Sequence, residues 1–361
     1  MNNAPVRVLM LDGGDRTPYL SRLVAHLARD GLEMHYAADA RYKDFGMLEA
    51  AGVTCHSIQV RSKLDFRARH RIHRILKRQR IDILHTIAGR DAYVGLRARG
   101  RKPIPVFVRR GAYAPISKFD FTDFVVYGKR GAWRFIVVST DLVEHMARQG
   151  VARERLVNVY TGIWSPELEP QRRDLRAEYG IGPDALLLAH VGNARPVKGF
   201  PYLLAALADL KRRGVVFHLL VAGKGYEDEV AAIDRLGLTD AITLLGHVDV
   251  MQITPNVDIM VLPSRIDAAP RAVIEATVVG TPVVGTRVGG VPEILDDGRG
   301  GVLVDPGDPS SMAKALADAA RDPESMRALA QHALRRNREL FSIEHCAARH
   351  RELYDDAMKR A

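Results

Sequence analysis

The order of its apolar segments constrains this chain more than any other feature. Short apolar runs end in turns and are followed by helical patterns, beginning with the run Val6–Leu11, the turn Asp12-Gly13-Gly14-Asp15 and the helical pattern Tyr19–Arg29. Short apolar strands that alternate with helices predict parallel sheets covered on both faces. The other strand-like runs are Ile81–Thr86, Ile104–Arg110, Arg134–Thr140, Leu186–Gly192, Val215–Gly223, Ala241–Gly246, Val257–Ser264, Thr281–Thr286 and Gly300–Asp305.

One segment interrupts this order. Thr161–Asp174 contains two prolines and several charges, as linkers do, and a length of 361 residues suits two domains. We therefore expect an α/β protein with two Rossmann-like, doubly wound domains, residues 1–165 and 166–341, that face a central cleft. The tail, Ser310–Ala361, predicts three successive helices, of which the last, residues 342–361, packs back on the first domain.

The composition is that of an ordinary soluble protein, with 47% hydrophobic and 27% charged residues. No apolar run reaches the roughly 18 residues of a membrane span, and the start, MNNAPVRVLMLDGG, lacks the apolar core of a secretory signal. Cys55 and Cys346 are the two cysteines, so neither a disulfide framework nor a cysteine-based zinc site is indicated. These features favour a cytoplasmic location.

Positive charge is concentrated in the first half of the chain. Residues 1–165 contain 29 Lys/Arg and 15 Asp/Glu, whereas residues 166–361 contain 24 and 28. The densest segment, Arg61–Arg80, has nine Lys/Arg and the single acid Asp65. Its apolar residues recur at helical spacing, at Leu64, Ala68, Ile72, Ile75 and Leu76.

This spacing predicts a basic amphipathic helix, for which two interpretations remain open. The helix either packs on a sheet and leaves its basic face in water, or it docks on an anionic membrane surface, where each cation contributes roughly 1 kcal/mol. Nucleic acid is disfavoured as a partner because aromatic residues do not alternate with the cations.

Candidate binding residues lie in the loops that follow the strands of the second domain, because parallel sheets bind ligands at the carboxyl ends of their strands. In Gly192–Gly199, Arg195 and Lys198 could neutralise a pyrophosphate. Gly223-Lys224-Gly225 could be an ordinary turn. Pro270 suits the first position of a helix, whose free amides would form an anion site.

Two carboxylates in the next segment each allow two interpretations. Asp267 could simply cap the helix that follows, or it could bind a ligand. Glu275 lies in the otherwise apolar stretch PRAVIEATVV, where a buried carboxylate requires a partner. That partner could be Arg271 one turn earlier, or the hydroxyl groups of a sugar.

Five short segments, taken in order, resemble the signature of the family 4 retaining glycosyltransferases, which have the GT-B fold. That family typically carries a Pro-Ser loop, Glu-Gly-x-Pro, a second Glu, Gly-x-Pro-Val-Val and Gly-Gly-x-x-Glu. GNARPVKG resembles the family's Gly-Arg-x-x-x-x-Lys-Gly, and Ser139 and Thr161-Gly162 extend the likeness into the first half of the chain. The five matching segments are Pro263-Ser264, Asp267-Ala268-Ala269-Pro270, Glu275-Ala276, Gly280-Thr281-Pro282-Val283-Val284 and Gly289-Gly290-Val291-Pro292-Glu293.

The resemblance implies a GT-B-like fold and a role for each matching residue. Lys198 would bind the diphosphate of a UDP- or GDP-linked sugar, Glu275 the ribose hydroxyls, and Asp267, in place of the usual Glu, the sugar hydroxyls. No metal or other cofactor is implied. The implied donor-binding residues are Gly13, Gly14, Asn193, Lys198, Gly223, Asp267, Ala268, Ala269, Pro270, Arg271 and Glu275. The implied catalytic residues are Asp267, Lys198, Arg195 and His85.

The chain departs from the family pattern at several positions. The family's diphosphate-binding Arg falls on Asn193, for which Arg195 could substitute. Arg109 and Arg110 stand where many members have a His, and they could bind a sugar or an anionic acceptor. His85, at the end of a strand, is expected at the edge of the cleft, where it is either catalytic or a plain strand-end histidine.

Together these features predict a retaining glycosyltransferase that makes surface polysaccharide or lipopolysaccharide on a glycan or lipid-linked acceptor. We expect it in the cytoplasm, peripheral on the inner face of the membrane through the basic segment 61–80. A nucleotide-sugar epimerase and a non-catalytic nucleotide-sugar binding protein remain alternatives. A dinucleotide oxidoreductase is disfavoured because Asp12-Gly13-Gly14-Asp15 lacks the Gly-x-Gly-x-x-Gly spacing.

Overall fold

The protein divides into two compact units in a computed structural model. The N-terminal unit comprises Met1–Gly162 with Ile343–Ala361, and the C-terminal unit comprises Ile163–Ser342. The structure describes residues 5–13, 18–87, 89–117, 119–163 and 170–360. The boundaries expected from the sequence, after residues 165 and 341, lie three residues and one residue from those of the structure.

The strands of the two units follow the predicted order, with additions. The sequence analysis missed β2, β3 and β7, because polar residues such as Glu33 and His35 interrupt the apolar pattern of these strands. The strands are β1 (Arg7–Asp12), β2 (Glu33–Ala38), β3 (Thr54–Ser57), β4 (Ile83–Thr86), β5 (Val106–Arg110), β6 (Arg134–Val137), β7 (Leu156–Asn158), β8 (Leu186–Val191), β9 (Phe217–Ala222), β10 (Ile242–Gly246), β11 (Ile259–Leu262), β12 (Val283–Thr286) and β13 (Val302–Val304).

Helices connect these strands, and the three predicted tail helices are present. A 3₁₀ turn, Pro196–Lys198, follows β8. The α-helices are α1 (Pro18–Arg29), α2 (Phe45–Ala50), α3 (Phe66–Arg78), α4 (Gly89–Arg99), α5 (Phe121–Tyr127), α6 (Thr140–Arg148), α7 (Leu175–Tyr179), α8 (Phe200–Arg212), α9 (Val230–Arg235), α10 (Val250–Ile253), α11 (Arg271–Val279), α12 (Val291–Ile294), α13 (Pro309–Arg321), α14 (Pro323–Leu340) and α15 (Ile343–Arg360).

Each unit contains one parallel sheet. In the described part of the N-terminal unit, seven strands pair in the order β3-β2-β1-β4-β5-β6-β7. In the described part of the C-terminal unit, six strands pair in the order β10-β9-β8-β11-β12-β13. Both orders reverse once, between β1 and β4 and between β8 and β11, as in doubly wound folds. This architecture confirms the predicted fold class.

Helix α15 returns to the N-terminal unit and completes its core. It packs against α1, and its residues Cys346, Ala347 and Tyr354 are buried in the core cluster that also contains residues of β1 and β4. The N-terminal unit is therefore assembled from two parts of the chain that lie far apart in sequence.

The basic segment forms α3, which is shorter than the segment predicted at Arg61–Arg80. Asp65 caps the helix by accepting a hydrogen bond from the Ala68 amide (2.9 Å), and α3 packs against α4. Ala68, Ile72 and Leu76 are buried as predicted. Leu64 is not part of this apolar face: it lies before the helix, and its side chain is 67% exposed.

In the part of the chain that the structure describes, no helix is both long enough and apolar enough to cross a membrane.

Candidate active site

The loops predicted to bind a donor lie at the switch point of the C-terminal sheet. β8 and β11 are neighbours there, with β9 and β10 on one side and β12 and β13 on the other. Ligands of open parallel sheets bind beyond the carboxyl ends of the strands at such a point. The loop after β8 carries Lys198, and the loop after β11 carries Asp267.

Lys198 and Asp267 form an ion pair that connects these two loops. The ε-amino group of Lys198 donates to Oδ2 of Asp267 at 2.6 Å, and each side chain is only 13% exposed. Asp267 is therefore not the cap of the following helix. Helix α11 begins at Arg271, and its N-cap position is held by Pro270, which we predicted as the first helical residue.

Close backbone packing sets the distance between the same two loops. The amide of Arg265 donates to the carbonyl of Val197 at 2.8 Å. Gly199 has a φ of +72°, and a Cβ atom there would lie 2.0 Å from the carbonyl oxygen of Pro263. A side chain at residue 199 would therefore push the two loops apart, and glycine is required.

The turn after β9 is joined to the loop after β8. The side-chain oxygen of Asn193 accepts a hydrogen bond from the Lys224 amide (3.0 Å), and the Ala194 amide donates to the Lys224 carbonyl (2.8 Å). A Cβ atom on Gly223 would lie 1.9 Å from the carbonyl oxygen of Gly192. Asn193 thus binds a neighbouring loop, and Arg195 is exposed.

Two residues that the sequence analysis missed, Tyr226 and His190, stabilise the start of the loop after β8. The Tyr226 hydroxyl donates to the Gly192 carbonyl at 2.8 Å and lies 2.9 Å from Nε2 of His190. His190 is fully buried, which lowers its pKa to about 4. A histidine inside the apolar strand LLLAHV was the available sequence signal.

Glu275 is buried in α11 and bound to the internal partner that the sequence left open. Its Oε1 accepts a hydrogen bond from Arg271 at 3.0 Å, and 11% of its side chain is exposed. Burial raises the pKa of Glu275, and the nearby Arg271 opposes this shift. Arg271 is 45% exposed, so its side chain reaches solvent while its partner Glu275 is largely buried.

The first turn of α11 lies next to the Lys198–Asp267 pair. Ala268 is buried and Ala269 is half-buried, so the chain enters the helix through small side chains. The loop after β12 closes this side of the site, since the Gly290 amide donates to the Asp267 carbonyl at 3.3 Å. A helix N-terminus, a lysine and small residues together suit an anionic group.

The N-terminal sheet has a corresponding site at its own switch point. The amide of Gly13 donates to Oδ2 of the fully buried Asp91 at 2.9 Å, and Arg90 donates to the Gly13 carbonyl at 3.1 Å. The sequence analysis missed Arg90 and Asp91, although the Gly-Arg-Asp triplet begins three residues after the last residue of β4. Gly14 lies outside the described residues.

Arg109 and Arg110 end β5, close to this switch point. Arg109 donates to the Thr161 hydroxyl at 3.3 Å, and its guanidinium group lies 5.1 Å from the ring centroid of Tyr19. The guanidinium group of Arg110 lies 5.9 Å from the ring centroid of Tyr127. Both arginines are half-buried and so remain open to an additional polar ligand.

Two family models match the chain, one in each half. The model described as "Glycosyltransferase Family 4" matches residues 18–163, and the model described as "Glycosyl transferases group 1" matches residues 171–336. The chain belongs to glycosyltransferase family 4. This confirms the family that the sequence motifs resemble.

Known proteins agree with this assignment. A D-inositol 3-phosphate glycosyltransferase from Segniliparus rotundus is 34% identical over 163 residues, which are 43% of this chain and 36% of that protein. The chain spans between 36% and 56% of the length of the first curated relatives that it matches.

Solved structures show the same GT-B fold. A glycosyltransferase from Rickettsia africae has a TM-score of 0.84 and 17% identity, and the match covers 99% of this chain and 100% of that chain. Alr3699/HepE from Anabaena, solved in complex with UDP, has a TM-score of 0.80 and 20% identity, with 97% and 100% covered.

Contrary to our expectation, His85 does not lie at an exposed edge of this family 4 protein. It is fully buried, its Nδ1 lies 2.6 Å from the Tyr354 hydroxyl of α15, and its ring stacks on His350 at 5.5 Å. Among the described residues, Nε2 of His85 has no hydrogen-bond partner. The structure therefore favours the interpretation of His85 as a core histidine.

This buried pair predicts a loss of stability in acid. Burial lowers the pKa of His85 well below its usual value and that of His350 to about 4, and the charge of Arg109 acts in the same direction. The unfolded chain, with histidine pKa values near 6.5, then binds protons that the folded protein excludes. The free energy of unfolding should fall as the pH drops from about 6.5 to about 4, by about 2 kcal/mol for His350 at pH 5.

Urea unfolding at pH 7.5 and pH 5 measures this loss. In His350→Gln the difference between the two pH values should be about 2 kcal/mol smaller than in the wild type. If the free energy of unfolding changed equally with pH in His350→Gln and in the wild type, this would contradict the assignment of His350 as a buried, neutral histidine.

Proposed function

We propose that the chain is a retaining, metal-independent glycosyltransferase that moves a sugar from a nucleotide-diphospho-sugar to a glycan or lipid-linked acceptor. The observation that carries this proposal is the largely buried pair of Lys198 and Asp267 beside the N-terminus of α11, with Glu275 buried in the same helix. This ion pair lies at the ligand-binding edge of the sheet. A ligand that carries both charge and hydroxyl groups can bind its two partners separately.

The donor would replace the internal contacts of these residues one by one. Its diphosphate would take the ammonium group of Lys198, and the sugar hydroxyls would take the carboxylate of Asp267 released from the pair. The ribose hydroxyls would donate to Glu275, which forms an ion pair with Arg271. HepE was solved with UDP, which supports a UDP-linked donor, and a GDP-linked donor is the alternative.

In the proposed reaction, the bond between the anomeric carbon and the phosphate oxygen breaks while a bond to the acceptor hydroxyl oxygen forms on the same face. The acceptor proton passes to the departing phosphate oxygen. Lys198 and the amides at the start of α11 would stabilise the negative charge that develops there, a contribution that needs no proton transfer by the protein. Arg195, which is exposed, would move towards the diphosphate.

The acceptor side of the proposal rests on the N-terminal unit. Arg109 and Arg110 lie at the carboxyl edge of its sheet, where they could bind the sugar or an anionic group of an acceptor. Because positive charge is concentrated in this unit, we propose an anionic, membrane-linked acceptor used in the synthesis of a surface polysaccharide or lipopolysaccharide. The protein would then work at the inner face of the cytoplasmic membrane, with α3 facing the lipid.

Thermal unfolding with a panel of uracil-, guanine- and adenine-diphospho-sugars tests the donor site. A donor at 100 times its dissociation constant should stabilise the protein by about 2.7 kcal/mol. We expect this shift with a single base, and we expect it to be lost in Glu275→Ala. Glu324→Ala, which removes an exposed carboxylate from α14 of the same unit, is the control and should keep it.

Product analysis with the stabilising donor then tests the reaction. Transfer to an acceptor that persists in EDTA, with the anomeric configuration of the donor retained, supports the proposal. Stabilisation by none of the donors would overturn the donor site. A free epimerised sugar made without acceptor would instead assign an epimerase, and binding without turnover would assign a nucleotide-sugar binding protein.

A further inference from the structure

Five large apolar side chains are exposed around the starts of α3 and α5. Phe119 is fully exposed, and Phe66 is 66% exposed although it is the first residue of α3. Single exposed apolar residues are common on protein surfaces, but a group of large ones indicates an interaction site. The five residues, which we call the apolar cluster, are Leu64 (67% exposed), Phe66 (66%), Phe119 (101%), Phe121 (62%) and Phe124 (68%).

A hydrogen bond brings the two parts of the apolar cluster together. Lys63 donates to the Thr122 hydroxyl at 2.6 Å and lies 3.4 Å from Oδ2 of Asp120, the residue that caps α5. Leu64 and Phe66 are therefore held next to the turn that carries Phe119 and Phe121. Both helices start at the carboxyl edge of the N-terminal sheet, the edge at which Arg109 and Arg110 lie.

Cations surround the apolar cluster. Arg61, Arg67 and Arg71 line a groove of about 540 Å³ together with Leu64 and Phe66. Further exposed cations continue along α3, at Arg74, Lys77 and Arg78. The acids near the cluster are used by the fold: Asp65 and Asp120 cap their helices, and Asp123 accepts a hydrogen bond from the Ser117 amide at 2.9 Å.

We propose that the apolar cluster and the cations of α3 form a docking surface for an anionic lipid bilayer, with the Phe and Leu side chains inserted at the level of the headgroups. Apolar side chains flanked by Lys and Arg bind membrane interfaces through burial of apolar area and attraction to anionic lipids. This inference extends the proposed function, because it places a membrane-linked acceptor next to Arg109 and Arg110, but the docking itself does not depend on catalysis.

Charge and arrangement argue against other partners. A symmetric contact with a second copy of the chain would bring the cations of one α3 against those of the other. Single-stranded nucleic acid is bound by aromatic residues that alternate with cations along a groove. Here the apolar side chains are grouped at the starts of two helices, while the cations extend along one of them.

Sedimentation with vesicles tests the surface in the full-length protein. Vesicles of phosphatidylcholine alone are compared with vesicles that also contain phosphatidylglycerol, and the bound fraction is measured at low and high salt. We expect binding to the anionic vesicles. The triple variant Phe119→Ala/Phe121→Ala/Phe124→Ala should lose more than tenfold in binding, and Arg67→Gln/Arg71→Gln about 30-fold at low salt, with a smaller loss at high salt.

Two matched variants control for charge and for apolar area. Lys129→Gln/Arg130→Gln removes two exposed cations from a different cavity of the same unit, and Val216→Ala shortens a side chain that is 66% exposed in the other unit. Both should bind vesicles as the wild type does. Equal losses in Lys129→Gln/Arg130→Gln and in Arg67→Gln/Arg71→Gln would show unspecific attraction and overturn the proposal.

Other outcomes are equally decisive. No sedimentation with anionic vesicles, or full binding by the triple Phe variant, overturns the docking surface. The docking surface is also overturned if the apolar cluster and the cations of α3 mediate dimerisation, or bind single-stranded RNA, instead of binding vesicles. Stabilisation by the donor sugar is measured on the same variants and should be unchanged. Loss of vesicle binding is thereby distinguished from failure of the donor site.

Discussion

Replacing Lys198 with Ala should lower kcat/KM for sugar transfer by roughly 100- to 1,000-fold, the loss expected when one charge-stabilising group is removed from a preorganised site. The change also leaves Asp267, 13% exposed, without its ion-pair partner. We expect this to lower the free energy of unfolding by about 2 kcal/mol, less than for a fully buried pair. Steady-state kinetics and urea unfolding measure the two effects separately.

The variants Lys198→Arg and Asp267→Asn separate charge from packing. Lys198→Arg keeps the positive charge and should retain more activity than Lys198→Ala. In Asp267→Asn the lysine is released from its ion pair, so affinity for the bare nucleoside diphosphate should rise while transfer of the sugar falls. A loss of less than tenfold in Lys198→Ala would contradict the role of this residue at the diphosphate.

Gly223→Ala should unfold at a temperature roughly 6–12 °C below the wild type and should lose donor binding. Its φ of +150° is rarely adopted by residues with side chains, and the new Cβ would lie 1.9 Å from the Gly192 carbonyl oxygen. Strain of this kind costs about 3 kcal/mol, which corresponds to the stated temperature shift in a unit of this size. The displaced Gly192 is also the residue that Tyr226 supports.

Gly182→Ala is the matched control for this change, because nothing lies within 4 Å of its added Cβ. It should leave both the melting temperature and the donor-induced stabilisation at wild-type values. If the two alanine variants had the same melting temperature, the contact between Gly223 and Gly192 could not constrain the loop after β8. Calorimetry with and without the donor gives both quantities.

The central strands of the C-terminal unit could be located in the sequence because they are buried on both faces. Segments such as LLLAHV and IMVL are then almost continuously apolar. β2 was missed because its first residue is exposed and its sequence, EMHYAA, mixes polar with apolar side chains. Its burial depends on neighbouring strands and on the Tyr36 hydroxyl, which donates to Asp12 at 2.7 Å.

The candidate site was predictable as a set of residues but not as a set of contacts. Spacing could indicate that Glu275 and Arg271 are one turn apart, and they do pair. The pairing of Lys198 with Asp267 joins residues 69 positions apart and depends on two strands lying side by side. The burial of His85 is even less local, because it requires Tyr354, 269 residues later.

Local sequence also fails to predict the exposure of the Phe side chains near residue 120. In the sequence, Phe119, Phe121 and Phe124 look like core residues, since Phe is among the residue types most often buried. The local pattern of these six residues, 119–124, does not reveal that Asp120 caps α5 and that the three rings are exposed. The basic segment 61–80 is visible in the sequence, whereas the exposure of these rings is visible only in the folded chain.

The path of the chain has a consequence for biosynthesis. Because α15 belongs to the N-terminal unit but follows the whole C-terminal unit in sequence, the ribosome makes it after that unit. The C-terminal unit can close as soon as Ser342 leaves the exit tunnel, whereas the core of the N-terminal unit stays incomplete until Cys346 and Tyr354 are added to it. The first half of the protein to be made is thus the second to be finished, and until then its apolar α1 face is available to chaperones.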